Sequence, residues 1–195
     1  MSNLKANTVI MKSLTLILSI IICMPLFSQT DIEGVLVPNT KTVASKTLQL
    51  NGAGVREKMW IDLYVGALFL EQKSNNPETI TGMDKAMAMD LTIISSLITS
   101  EKMVDAVNEG FKYSTKGHPE KLQSEITQLL NVFRTPITQG DHYSFVYLPN
   151  KGTEVIKNGI SAIIIPGLDF KQALFGIWLC DKPADKNLKK GLLGH

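Results

Sequence analysis

One arginine stands in a setting whose residue types could bind an anionic group. Arg56 follows Gly52 and Gly54, and Asp62 and Tyr64 come shortly after it. A planar guanidinium can hold a carboxylate or a developing oxyanion with two parallel hydrogen bonds, and glycines allow the backbone to approach a ligand closely. Arg56 is therefore the first candidate ligand-binding residue. The alternative for Arg56 is a strand-end arginine that is solvated or paired with a neighbouring acid.

Tyr64 and Asp62 are the other two candidates for ligand binding. A phenol donates one hydrogen bond while its ring packs on apolar surface, which suits the head-group end of an apolar cleft. A tyrosine at the edge of the core, bonded to backbone, is an equal alternative. Asp62 falls on the same face of a predicted strand as Tyr64 and is expected to orient the guanidinium of Arg56.

The spacing of the remaining reactive residues supports no other chemistry. His118 and His142 have no partner at metal-ligand spacing, so we predict neither a metal site nor a cofactor. Ser95, Ser96 and Ser161 have no nearby histidine that would make a serine nucleophile. No catalytic residue is predicted from these patterns.

The first 28 residues have the layout of a secretory signal peptide. Two lysines precede an apolar run at 14–27, and the small residue Ser28 follows it. The run is shorter than the roughly 20 residues that cross a bilayer as a helix, so removal is favoured over a retained membrane anchor. We predict a signal peptide at 1–28, one domain at 29–195, and a periplasmic or secreted protein without a membrane span.

Size and charge narrow the class of protein. The chain has 195 residues, of which 44% are hydrophobic and 19% charged, and this suits one globular domain. Removal of the two N-terminal lysines from the 20 basic residues leaves 18, which balance the 18 acidic residues. A neutral domain without a basic cluster lacks the electrostatic footprint of a nucleic-acid-binding protein.

Strands and helices that must position these residues follow from the hydrophobic periodicity. Apolar residues at a spacing of two predict strands at 32–37, 47–55, 59–70, 86–93, 143–148, 153–157 and 160–165. A spacing of three and four predicts helices around 103–111, 122–133 and 170–178, with shorter helical turns after Asn76 and over 185–193. This order of elements predicts an α+β fold in which amphipathic helices cover one face of an antiparallel sheet.

The longest predicted strand, 59–70, carries two of the three candidate residues. Its odd positions from Met59 to Phe69 are all apolar, whereas its even face is mixed and includes Trp60, Asp62 and Tyr64. The apolar face is expected to lie in the core and the mixed face to be informative about function.

Two sequence motifs resemble those of a known family. Residues 52–56 read Gly-Ala-Gly-Val-Arg and lead into a strand that contains Tyr-Val-Gly-Ala at 64–67. Within 170–194, Ala-Leu-Phe-Gly-Ile-Trp-Leu, Asp-Lys-Pro and Leu-Leu-Gly follow in order. From residue 32 to the C-terminus the chain resembles the chalcone isomerase-like family. The resemblance implies a large antiparallel sheet packed against a layer of helices, as an open-faced sandwich, with a ligand cleft between them.

The family includes plant chalcone isomerases and fatty-acid-binding relatives without known catalysis. The resemblance implies that the arginine matching Arg56 contacts substrate oxygens or the fatty-acid head group. The plant enzymes also use a tyrosine, an asparagine and a threonine. Here the region that corresponds to the tyrosine, 98–102, contains no tyrosine, Ala106 stands near the asparagine position, and Ile177 replaces the threonine. The family's carboxylate-binding tyrosine lies one position before Tyr64, an offset that turns the side chain over unless a bulge intervenes.

These observations favour binding over catalysis. The leading hypothesis is a carrier or sensor for a small apolar or amphipathic carboxylate such as a fatty acid, with a tunnel between apolar helix faces and Arg56 as its anchor. One alternative is a chalcone isomerase-type intramolecular lyase acting on an unsaturated carbonyl compound, with Arg56 as the only catalytic candidate. A second alternative is an assembly module whose cleft is vestigial.

Overall fold

The computed structural model describes residues 29–195. The predicted signal peptide at 1–28 lies outside the described residues. Within 29–195, no helix combines the length and the apolar character that a membrane crossing requires.

A seven-stranded antiparallel sheet forms the centre of the domain, and every strand pairs with the next one in the chain. A separate two-stranded hairpin, β1 (Gln29–Ile32) and β2 (Val35–Pro38), precedes the sheet. The strands of the sheet are β3 (Thr40–Val43), β4 (Lys46–Lys58), β5 (Ile61–Leu70), β6 (Met87–Ile93), β7 (His142–Leu148), β8 (Gly152–Lys157) and β9 (Ile160–Ile165).

Five α-helices accompany the sheet. They are α1 (Pro77–Gly82), α2 (Ser100–Ser114), α3 (Gln123–Phe133), α4 (Leu168–Leu179) and α5 (Lys186–Leu192), with a 3-10 turn at Pro119–Leu122 before α3. The apolar stripe predicted for the first long helix is buried in α2, at Met103, Val107, Gly110 and Phe111. The predicted α+β fold class is therefore confirmed.

Strict alternation along β6 separates two hydrophobic cores. Met87, Met89 and Leu91 face the helices and join the larger core. Ala86 and Ala88 face the opposite side and join a smaller core. The alternating sequence accounts for this division, because side chains of a strand point to the two faces of a sheet in turn.

The smaller core is covered by chain from the start of the domain. Val37 of β2 and Val43 of β3 pack there against residues of β5, β6 and β7. Lys41 of β3 reaches Asp90 of β6, with 2.7 Å between Nζ and Oδ2, and its ammonium lies 5.8 Å from the centre of the Phe69 ring. The first strands of the sheet therefore lie close to the back of its middle strands.

Tight turns explain the errors in two of the predicted strands. The strand predicted at 32–37 is interrupted by Glu33 and Gly34, whose φ angles are 49° and 76°, and becomes the β1–β2 hairpin. The strand predicted at 59–70 begins only at Ile61, because Met59 and Trp60 have φ angles of 54° and 62° and form the β4–β5 turn. Left-handed backbone at both central residues is the geometry of a two-residue hairpin turn.

The glycines before Arg56 pack against α5 and not against open space. A Cβ on Gly52 would overlap the carbonyl oxygen of Gly191, and one on Gly54 would contact Leu188. The Asn51 side chain donates a hydrogen bond of 2.7 Å to the Leu192 carbonyl. The expectation that these glycines admit a ligand is therefore wrong, because they admit the C-terminal helix.

A buried lysine that the sequence pattern did not single out closes the end of α1. Lys171 of α4 is fully buried, and its ammonium donates hydrogen bonds to the carbonyls of Ile80, Thr81 and Met83. Burial lowers the pKa of Lys171 to about 8. The side chain satisfies carbonyls that a helix end leaves without partners, and so ties α1 to α4.

Candidate functional site

Arg56 and Tyr64 are direct neighbours on adjacent strands. They are paired in the register of β4 and β5, and the guanidinium carbon of Arg56 lies 5.5 Å from the centre of the Tyr64 ring. A cation above an aromatic face is attracted by the ring quadrupole, which fixes the guanidinium over the phenol. The structure therefore brings together the first two candidate residues.

A β-bulge accounts for the direction of the Tyr64 side chain. The register shifts between Arg56 and Glu57, so that Glu57 pairs with Asp62, Arg56 pairs with Tyr64, and Leu63 has no counterpart. Leu63 and Tyr64 consequently both pack on the helix-covered side of the sheet. One extra residue reverses the alternation that follows it, which explains why Leu63 and Tyr64 share a face of the sheet.

The Tyr64 phenol is held in the core by Trp178 of α4. The side chain of Tyr64 is buried, and the Trp178 indole nitrogen donates a hydrogen bond of 2.8 Å to its oxygen. Burial raises the pKa of Tyr64, against the opposing effects of the Arg56 charge and the Trp178 hydrogen bond. The phenol therefore keeps its proton at neutral pH and can donate it to an acceptor.

Part of the Arg56 guanidinium has no acceptor. Its Nε is buried and makes no hydrogen bond to any residue of the described part of the chain. A buried donor without a partner is costly, and such groups point to an unfilled role. The position is suited to an incoming anionic oxygen.

Arg56 lies where two cavities meet. The outer one is a cleft of about 400 Å³ between α2 and the β4–β5 hairpin, and its wall contains the charged residues Lys58, Lys102, Asp105 and Glu109 beside apolar side chains. The inner one, between the sheet and α2, α3 and α4, holds only about 20 Å³. Arg56, Met103 and Ala106 belong to the walls of both. The predicted tunnel between apolar helix faces is thus nearly closed, since this volume accommodates about one water molecule.

A family model described as chalcone isomerase-like matches residues 29–194, which is most of the chain. The chain belongs to the chalcone isomerase-like family. The family resemblance seen in the two sequence motifs is therefore confirmed, and it extends over the whole described domain. A comparison with curated protein sequences gives no match.

A solved structure supports the architecture of this chalcone isomerase-like protein. The crystal structure of a fatty-acid binding protein from Arabidopsis thaliana matches with a TM-score of 0.65 and 14% sequence identity. The match covers 88% of this chain and 95% of that chain. At this identity the likeness shows the shared fold.

The two apolar residues that the resemblance matched to polar positions of the plant enzymes can be located in the structure. Ala106 of α2 and Ile177 of α4 both line the inner cavity beside Arg56 and Tyr64. The structure thus places these two positions at the site, as the resemblance implied. Neither side chain can form a hydrogen bond to a carbonyl or to an ordered water.

Asp62 does not join this chalcone isomerase-like site. It is exposed, it pairs with Glu57 across the hairpin, and it lines neither of the two cavities. No ion pair between Asp62 and Arg56 occurs among the described residues. The expected orientation of the guanidinium by Asp62 is therefore wrong, because the bulge at Leu63 separates the faces of Asp62 and Tyr64.

Two other features of residues 29–195 are relevant to ligand or metal binding. A wider groove of about 700 Å³ lies between α1, the end of α2 and α4, but Arg56 and Tyr64 are not in its wall. The described part of the chain contains no group of three or more His, Cys, Asp or Glu side chains arranged to hold a metal ion. The half-buried Arg56 guanidinium beside the protonated Tyr64 phenol thus remains the best-defined candidate site.

Trp178 and Met103 are site residues that sequence reasoning missed. Both were assigned to apolar helix stripes, where a tryptophan or methionine normally belongs to the core. The only sequence clue to Trp178 was its indole N–H, which needs a partner when buried.

Proposed function

We propose that this protein binds a fatty acid or a similar amphipathic carboxylate without catalysing a reaction, and that Arg56 anchors the carboxylate. The observation that carries the proposal is the buried Arg56 Nε without an acceptor, at the point where the outer cleft meets the apolar interior. A carboxylate would fill this position with charge-assisted hydrogen bonds.

The surroundings of Arg56 suit the two ends of such a ligand. The Tyr64 hydroxyl accepts from Trp178 and retains its own proton, which is available to a carboxylate oxygen. The outer cleft of about 400 Å³ falls within the usual range of small-ligand sites, and apolar side chains such as Ile61, Leu63 and Ile98 line it. An acyl chain would lie along these residues, and the closed inner cavity would admit it only if Met103 moves.

The matching Arabidopsis thaliana structure is titled a fatty-acid binding protein. That title describes the plant protein, and its fold is what the two chains share. It supports the proposal because the same architecture can hold a ligand of the class that Arg56 and the cleft suggest.

An isomerase acting on an unsaturated carbonyl compound is the competing function. Arg56 and the protonated Tyr64 could stabilise an oxyanion, but Ala106 and Ile177 offer no polar partner to the carbonyl or to a water. We expect no acceleration of chalcone cyclisation above the uncatalysed rate. Stereoselective turnover that disappears in Arg56→Ala would establish the enzyme instead.

The proposal includes export of the protein to the periplasm or the medium. It rests on the basic flank, short apolar run and small residue within 1–28. N-terminal sequencing of the protein from the cell envelope should find Gln29, Thr30 or Asp31 first. A mature protein that keeps Met1 or Met11 and sediments with membranes would show a tethered domain.

Native mass spectrometry of the protein purified from its own host tests the ligand class. We expect a bound species with the mass of a fatty acid or related carboxylate, released on denaturation. A preparation that carries no such species, and gains none after incubation with dodecanoate or hexadecanoate, would contradict the proposal.

A further inference from the structure

We propose that the β4–β5 hairpin tip, Met59 and Trp60, docks this protein on a lipid bilayer and turns the cleft mouth toward the membrane interface. Docking follows from the exposure and position of the tip alone. The use of docking, to exchange an amphipathic carboxylate with the bilayer, rests on the proposed function.

The exposed apolar side chains of the domain are concentrated at this tip. Trp60 is 93% exposed and Met59 78%, and Ile61 and Leu97 beside them are also exposed. These four are half of the eight large hydrophobic side chains that are exposed within residues 29–195. Tryptophan is the residue type that prefers the boundary between lipid head groups and acyl chains.

The backbone conformation of the β4–β5 turn makes Met59 and Trp60 unusual residues for their positions. Met59 and Trp60 both have positive φ angles, in a two-residue turn that favours Asn and Gly. Large apolar side chains at these positions strain the backbone and gain no packing in return. Strain retained at an exposed position points to a use outside the folded domain itself.

The tip is continuous with the ligand cleft. Met59, Ile61 and Leu97 belong to the wall of the cleft of about 400 Å³ that reaches Arg56. A protein resting on these side chains would open its cleft into the apolar edge of the bilayer. An amphipathic carboxylate could then move between membrane and cleft without crossing water.

Charge and area favour a bilayer over a protein or nucleic-acid partner. Glu57, Lys58 and Asp62 flank the tip with mixed charge, so neither an acidic nor a basic macromolecule finds a complementary surface. A tryptophan presents roughly 150–250 Å², and the three smaller neighbours add a comparable amount. This falls short of the ~800 Å² per partner that a stable dimer buries.

Trp60 itself can report the docking. The chain has two tryptophans, and Trp178 is buried, so a change in emission on contact with lipid reports Trp60. We expect the mature protein, without the predicted signal peptide at 1–28, to show a blue shift, and quenching by brominated phospholipid, with vesicles of phosphatidylethanolamine and phosphatidylglycerol. The response should disappear in Trp60→Phe, which lacks the reporting indole. In the wild type the response should persist at high salt, because apolar insertion and not charge attraction carries it. Emission that vesicles leave unchanged would overturn the proposal.

Trp60→Gly separates docking from folding. Glycine suits the positive φ, so the variant should fold at least as well as the wild type, yet its partitioning to vesicles should fall about tenfold, which corresponds to roughly 1.4 kcal/mol. The matched control is Ile160→Ser, which removes a 74% exposed apolar residue beside another hairpin turn and should bind vesicles like the wild type. Equal losses in both variants would show non-specific adsorption and overturn the proposal.

Fatty-acid affinity and vesicle binding, measured in two variants, distinguish the ligand proposal from the docking proposal. Arg56→Ala should lose fatty-acid affinity in solution and keep vesicle binding, whereas Trp60→Gly should do the reverse. If Arg56→Ala keeps its fatty-acid affinity, Arg56 is not the carboxylate anchor, and docking is unaffected. Concentration-dependent self-association that Trp60→Gly abolishes, without any vesicle binding, would identify a second copy of the chain as the partner and overturn bilayer docking.

Discussion

The indole N–H of Trp178 donates a hydrogen bond of 2.8 Å to the phenol oxygen of Tyr64, and both side chains are buried. The bond links α4 to β5 beneath the Arg56 guanidinium, which lies over the same phenol ring. Trp178 thereby holds a hydroxyl group that can assist Arg56, and leaves the proton of that hydroxyl free to be donated.

The first prediction concerns the energy of this bond. Trp178→Phe and Tyr64→Phe should each destabilise the fold, because each leaves one buried polar group without its partner at a cost of about 1–3 kcal/mol. A double-mutant cycle from denaturant unfolding should give a coupling energy of about 1 kcal/mol between the two positions. Strictly additive losses would show that the bond contributes nothing beyond packing.

The second prediction distinguishes the two explanations of the glycine-rich segment. Gly52→Ala should cost about 1–3 kcal/mol of unfolding free energy, because the methyl group overlaps the Gly191 carbonyl. The control is Gly82→Ala at the end of α1, where nothing lies within 4 Å and a gain of about 0.4–1 kcal/mol is expected. If Gly52→Ala instead kept full stability and lost only ligand affinity, the glycine would serve ligand approach.

The third prediction is a pH dependence at the back of the sheet. Burial by itself would raise the pKa of Asp90, but His142 and the Lys41 ammonium together hold it below its usual range. Since the folded-state pKa lies below the unfolded one, the carboxylate stabilises the fold above about pH 4. This contribution is lost as the pH falls through the folded-state pKa.

Urea unfolding of Asp90→Asn tests this dependence. The variant should be less stable than the wild type by about 2 kcal/mol at pH 7, and the difference should shrink toward pH 3. Asp62→Asn, at an exposed position, should stay within about 0.5 kcal/mol of the wild type at both values. A loss in Asp90→Asn that is the same at pH 3 and pH 7 would mean that the charge of Asp90 is not involved.

The elements with strict periodicity were predictable from the sequence, and the tight turns were not. β6 alternates without exception and α2 carries a clean stripe, so both elements were predicted from their periodicity. Met59 and Trp60 read as strand because large apolar residues rarely adopt positive φ. The β4–β5 turn lacks the glycine or asparagine that normally indicates a turn, so the local sequence did not predict it.

The candidate site was predictable in its residues and less so in its arrangement. Arg56 and Tyr64 were identified by chemistry and family motif, and the structure brings them together. Asp62 was misplaced because the bulge at Leu63 has no sequence signature. The closed interior and the Trp178 bond depend on how helices pack on the sheet, which periodicity along one chain does not specify.

The affinity of Arg56 variants for a long-chain fatty acid tests the central claim most directly. Arg134, the other arginine, is exposed at the end of α3 and supplies the matched control. Calorimetric titration with a fatty acid below its micelle concentration should give equal dissociation constants for the wild type and Arg134→Ala. Arg56→Ala should bind about 30- to several-thousand-fold more weakly, which corresponds to roughly 2–5 kcal/mol, and Arg56→Lys should lie between them. Equal affinity in Arg56→Ala and the wild type would contradict the account and remove Arg56 from the site.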